Sequence, residues 1–197
     1  MTPINSRIAL ILAAFLAGLV VFLTVIFVVG GRGPTAPMAS AIGGPFELID
    51  QDGKPITEQD FKGRPFLVFF GYTHCPDVCP ATLFDVSEVM RALGSDADRT
   101  GAIYITVDPQ RDTAAVMKDY LSSFDPHLRG ATGDVAKVEQ AEKAYRVYAK
   151  KVPTDSGDYT MDHTALVYLM DKQGRFVAPF SLKRKPEESA AELRKYF

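Results

Sequence analysis

The chain has 197 residues, 22 basic and 24 acidic side chains, a net charge of −2 and a pI near 5.9. That balance excludes a nucleic-acid face, which needs clustered Lys and Arg. Hydrophobic residues make up 47%, core enough for one domain without disulfide staples, so the two cysteines read first as chemistry.

Residues 1–30 form an N-terminal anchor. Ile8 to Val29 carries no charged side chain. At about 1.5 Å per residue, its helix is long enough for a hydrocarbon core of about 30 Å. A signal peptide cleaved near Ala39-Ser40-Ala41 is the competing reading, but signal h-regions run only about 7–15 residues. Both readings export the remainder of the chain. Arg7 and Arg32 flank the segment, so charge orients it little, and the free amino terminus tips it N-inside. The expectation is a single-pass protein of the inner membrane with its globular part facing the periplasm. Residues 31–45, rich in Gly, Pro, Ala, Ser and Thr, are read as a linker, and residues 46–197 as the domain.

That domain opens on a hairpin, Phe46 to Ile49 and Lys54 to Thr57 around Asp52-Gly53. Pro65 to Tyr72, Ala102 to Val107 and Thr164 to Met170 are unbroken apolar runs, suited to strands buried on both faces. Helical spacing appears over Pro80 to Leu93 and Thr113 to Phe124, and Asp134 to Tyr148 opens on an N-cap residue. Phe176 to Phe180 pairs back on the preceding strand, and Pro186 to Phe197 closes the chain as a helix. Lys150 to Tyr159 reads as a mobile loop that moves when metal binds, bringing His163 towards the sulfurs. The order predicts an α/β sandwich with parallel crossovers and an N-terminal hairpin, a thioredoxin-like arrangement.

Cys75-Pro76-Asp77-Val78-Cys79-Pro80 comes after a buried strand and precedes a helix, where chemistry collects in open α/β sheets. Pro80 would clash with the Pro76 carbonyl inside a continuous helix. The helix is therefore expected to begin at Pro80, with both thiols near its positive end and their pKa lowered. The C-x₃-C spacing puts β-carbons about 5–6 Å apart on a helical turn, wide for a disulfide at about 3.5–4.5 Å. A shared metal relaxes that demand, and two soft thiolates suit Cu(I), with imidazole suiting Cu(II). His74 and His127 read as loop or structural histidines. His163 falls in the loop expected over the cysteine turn, and its chemistry alone leaves a ligand and a hydrogen-bonded loop histidine equally open. Asp108 and Asp112 read first as a turn aspartate and an N-cap, with Asp108, at a strand end on the cysteine edge of the sheet, alternatively orienting the site or meeting a partner. For Asp77 and Asp162 two roles stay open, setting the local charge or capturing a partner.

Asp60 to Pro65, Phe69 to Pro80, Val107 to Thr113 and Tyr159 to Leu166 closely resemble the Sco/SenC family of copper chaperones for cytochrome c oxidase. The resemblance spans Gly43 to Phe197. It implies a thioredoxin-like fold binding one copper ion through Cys75, Cys79 and His163. It also implies delivery of copper to the copper-site subunit of cytochrome c oxidase, or reduction of its cysteines. An upstream copper donor or thiol reductant is implied as a further partner. The competing functions are thiol–disulfide exchange at Cys75 and Cys79 without metal, and a thiol peroxidase, for which Thr73 is near but no convincing arginine is at hand.

Overall fold

The computed structural model describes residues 4–30, 42–155 and 157–197, and the first helix's side chains over 8–26. Two compact units divide between Ala39 and Ser40. The expected linker lies outside the described residues as far as residue 41, as does the candidate cleavage site Ala39-Ser40-Ala41. The first unit is helix α1 (Ile4–Gly30). Every side chain from Ile8 to Ile26 is exposed, and the Thr24 hydroxyl donates to the Val20 carbonyl at 2.7 Å. An apolar helix that satisfies its own polar groups fits a single-pass membrane anchor.

The second unit is built on a seven-stranded sheet in the order β2-β1-β5-β4-β3-β8-β9. Its strands are β1 (Glu47–Asp50), β2 (Pro55–Thr57), β3 (Phe66–Gly71), β4 (Gly101–Thr106), β5 (Leu128–Thr132), β8 (Val167–Met170) and β9 (Phe176–Pro179). The apolar runs form β3, β4 and β8, buried along their whole lengths. β3, β4 and β5 run parallel, while β1, β2, β8 and β9 join antiparallel. Parallel neighbours need long crossovers, supplied by α2 (Val78–Leu93) and α3 (Ala114–Leu121). α4 (Val135–Ala144) and α5 (Pro186–Arg194) complete the helices.

Successive strand residues face opposite sides of the sheet. On one side Phe69 stacks on Tyr104 at 5.6 Å, and Tyr104 meets Tyr120 of α3 at 6.1 Å. On the other, Phe70 packs against Tyr145 at 5.5 Å. The first side also holds Gly71, and it is where the cysteine turn lands.

Several expectations change, and α3 and α5 also end three residues early, at Leu121 and Arg194. α2 begins at Val78, not Pro80. Pro80 is the third helical residue, whose N–H would have no intrahelical partner, so proline costs nothing there. α4 stops at Ala144 rather than Tyr148, because Arg146 turns left-handed at φ 57°. Its Asp134 is an N-cap by position but makes no side-chain capping bond. The expected loop over Lys150 to Tyr159 is strand at both ends, Lys150 to Pro153 and Tyr159. β6 (Ala149–Pro153) and β7 (Tyr159–His163) pair antiparallel as a separate two-stranded sheet, with Ala149 opposite His163.

Candidate metal centre

β3 ends at Gly71, and the chain then turns so that the Cys75 N–H donates to the Tyr72 carbonyl at 3.2 Å. Asp77 takes the N-cap position of α2 without a side-chain cap. The first helical turn therefore carries Cys79, and its N–H donates to Cys75 Sγ at 3.4 Å. Cys75 is partly exposed, Cys79 is fully buried, and both are free thiols.

His163 ends β7 and brings its ring to the same place from the opposite side. Its Nε2 lies 3.6 Å from Cys79 Sγ. Its Nδ1 faces the Thr164 carbonyl at 3.1 Å, a partner that can only accept. The proton therefore sits on Nδ1, and Nε2 points its lone pair at the sulfurs. One donor atom each from Cys75, Cys79 and His163 lie within 4.8 Å of one another. Two sulfurs and an imidazole nitrogen form a donor set suited to copper, with room left for an incoming ligand. The β6–β7 hairpin thus already places His163 beside the cysteines.

The expected lowering of both thiol pKa values fails for Cys79. Burial pushes that thiol up to about 12. The Tyr72 backbone N–H and the Tyr104 hydroxyl pull it only partly back, while Cys75 adds to the rise. A helix N-terminus loses to desolvation when the sulfur is sealed from water. Cys75 is the accessible sulfur, and its Sγ receives the helix N–H.

Space around Cys79 depends on Gly71. A β-carbon there would stand 2.7 Å from Cys79 Sγ and 2.7 Å from the Tyr104 ring. Both neighbours are buried and held. Gly71→Ala is expected to destabilise the domain by about 1–3 kcal/mol, the range for overpacking, and to weaken metal uptake by pushing Cys79 aside. Thermal melts of the metal-free variant check this; an unchanged midpoint would refute it.

The hairpin that carries His163 is fastened by Arg111. Its Nε donates to Asp108, and its Nη1 to the Tyr159 carbonyl at 3.1 Å and to Asp158 at 3.3 Å. The guanidinium lies 3.8 Å from the Tyr159 ring centroid, within cation–π range. The Tyr159 hydroxyl donates to the other Asp108 oxygen at 3.0 Å. Tyr72 meets the His163 ring edge-on at 5.7 Å and bonds Thr160 Oγ1 at 2.6 Å.

Asp108 is therefore more than a turn residue, and Asp112 is not an N-cap. Thr113 caps α3. Asp112 is buried and accepts from Thr73 N at 3.0 Å, Thr73 Oγ1 at 2.6 Å and Thr106 Oγ1 at 2.6 Å. It ties the cysteine turn to the end of β4. The Thr73 hydroxyl is thereby engaged with Asp112, not with a cysteine. His74 is exposed beside Thr73. His127 is held by Asp125 at 2.7 Å and Asp98 at 3.1 Å, and the Asp125 bond raises its pKa. Neither belongs to the cluster. Asp162 is exposed on β7 opposite Lys150.

Comparison with known proteins is consistent across sequence and structure. The SCO1/SenC family profile matches residues 34–197. A mouse protein, the mitochondrial SCO2 homolog, is 38% identical over 161 residues, covering 80% of this chain and 63% of that protein. The SCO2-like protein of Rickettsia felis is 37% identical over 149 residues, 75% of this chain and 73% of its own length. The solved structure of Bradyrhizobium japonicum ScoI with copper bound is 66% identical. It covers 79% of this chain and 99% of that one, with a TM-score of 0.77. Yeast Sco1 with copper bound is 35% identical, covering 79% and 87%, with a TM-score of 0.71.

Proposed function

Since the chain belongs to the SCO1/SenC family, we propose that it is a copper carrier for cytochrome c oxidase assembly. In this reading Cys75, Cys79 and His163 hold one copper ion on the outer face of the inner membrane. α1 tethers the domain through residues 31–45, and a cysteine-bearing copper-site subunit of the oxidase takes the ion. The observation that carries this reading is the convergence of two sulfurs and one imidazole nitrogen within 4.8 Å, on a fold shared with copper-bound relatives.

Copper is cargo here, and the chain's residues supply the grip. Nδ1 of His163, bonded to the Thr164 carbonyl, fixes the ring so that Nε2 donates. Three protein donors leave coordination space, so a partner's thiolate can enter before the carrier's ligands leave. Val78 and Leu166 lie within three residues of a donor and are 44% and 46% exposed. A docking subunit would cover such apolar groups. Because Cys79 is protonated at neutral pH, metal entry must release its proton.

Titrating the reduced chain with Cu(I) and with Cu(II) tests the reading. One equivalent bound in each state, with a sulfur-to-copper charge-transfer band for Cu(II), is expected. Saturation without such a band would remove the cysteines from the site.

A second role, thiol–disulfide exchange, is favoured by one observation. Cys75 is the exposed sulfur at a helix start while Cys79 is sheltered behind it. Cys75 would attack a partner disulfide, and Cys79 would resolve the mixed disulfide. Reduction of the receiving cysteines and delivery of copper are then successive uses of the same pair.

A further inference from the structure

Tyr104 lies in β4 and is fully buried. Its hydroxyl faces the Cys79 thiol, a weak acceptor, and among the described residues it finds no partner in good hydrogen-bond geometry. Buried hydroxyls are nearly always paired, so an orphan needs a reason. Phe69 at 5.6 Å and Tyr120 at 6.1 Å wall its ring with other rings. The polar neighbour at its tip is Cys79. A β-carbon placed on Gly71 would stand 2.7 Å from Cys79 Sγ and 2.8 Å from the Tyr104 oxygen. The sulfur and the phenol therefore border the same small gap, kept open by the missing side chain of Gly71.

A thiol is a weak acceptor, whereas a thiolate is a strong one. In the metal-free dithiol the phenol has nothing good to donate to. Metal entry turns Cys79 into the missing acceptor. We propose that Tyr104 is the hydrogen-bond donor to the copper-bound Cys79 sulfur, and that it tunes the site in favour of Cu(I). This rests on Cys79 being a copper ligand. Donation into the sulfur withdraws electron density from it, so the sulfur gives less to Cu(II), and the reduced ion gains relative to the oxidised one.

Tyr104→Phe in the full chain tests the assignment, because it deletes one oxygen and keeps the ring. One copper is still expected to bind. The sulfur-to-Cu(II) charge-transfer band should move to lower energy. The affinity for Cu(I) relative to Cu(II) should fall roughly tenfold, the scale of one hydrogen bond to a charged group. The metal-free melting temperature should stay level or rise, since an unpaired buried hydroxyl is removed. That pairing of signs separates the proposal from a structural role. A copper-free variant that melts lower would show that the hydroxyl has a protein partner and would overturn the proposal. So would an unmoved band and an unmoved affinity ratio in the loaded variant. A wild-type chain that takes up no copper would overturn the copper reading as well.

Discussion

His163→Ala is expected to lower copper affinity by more than about 100-fold while leaving the chain folded and its cysteines reactive. Even loss of an outer partner of a metal ligand costs about 10–100-fold, and in the copper-carrier reading the ligand itself goes. The ring is partly exposed, and its neighbours Tyr72 and Thr160 keep their own bond, so the deletion opens little core. Copper competition titrations of the wild type, His163→Ala and Cys75→Ser measure the effect. Reaction of the reduced cysteines with a small disulfide gives the second readout. In the copper-carrier reading, both variants lose tight binding and only Cys75→Ser loses disulfide exchange. Wild-type affinity in His163→Ala would leave the cysteines as a redox pair and end the carrier reading.

Arg111→Met carries the second large effect. The Asp108 carboxylate is fully buried, and Arg111 is largely so. Removing the guanidinium leaves one Asp108 oxygen with no charged partner, a situation that costs about 3–5 kcal/mol. It also strips the Tyr159 carbonyl and ring of their contact. The loss falls on the hairpin. Amide exchange should quicken across Ala149–Pro153 and Tyr159–His163 before it does in β3 and β4, and copper affinity should drop through misplacement of His163. Arg111→Lys keeps the charge without the fork and should recover only part of both effects. Exchange rates that rise equally in the central strands would show that Arg111 supports the whole domain and not this arm.

Much of the fold is legible in the sequence because its signals are local. The unbroken runs at β3, β4 and β8 have no other stable home than a covered sheet. Cys75 and Cys79 announce themselves by spacing and by their place after a buried strand. His163 does not. It needs either the resemblance or the coordinates, because its meeting with Cys79 spans 84 positions of chain. The β6–β7 hairpin is hidden for a plainer reason. Lys150 to Pro153 is exposed, charged and ends in proline, so neither alternation nor apolarity marks it, and only pairing with Tyr159 to His163 makes it a strand. Asp112 reads wrongly as a cap because an aspartate before a helix usually is one. Nothing linear shows that Thr73 and Thr106 both turn towards it. Tyr104 passes for one more apolar residue of a buried run, since periodicity sees its ring and not its oxygen.

The two sheets have different fates under load. Both cysteine positions are tied into the seven-stranded frame, through Gly71, Asp112 and α2. The imidazole rides on two strands that share no ladder with that frame and are fastened to it through side chains. Such an arm can tip away as a unit without breaking one backbone bond of the main sheet. In the copper-carrier reading grip and release would thereby be divided: the frame would keep hold of the ion while the arm admits a rival ligand. On that reading the third ligand could withdraw, and the load pass on, with the seven-stranded sheet left whole.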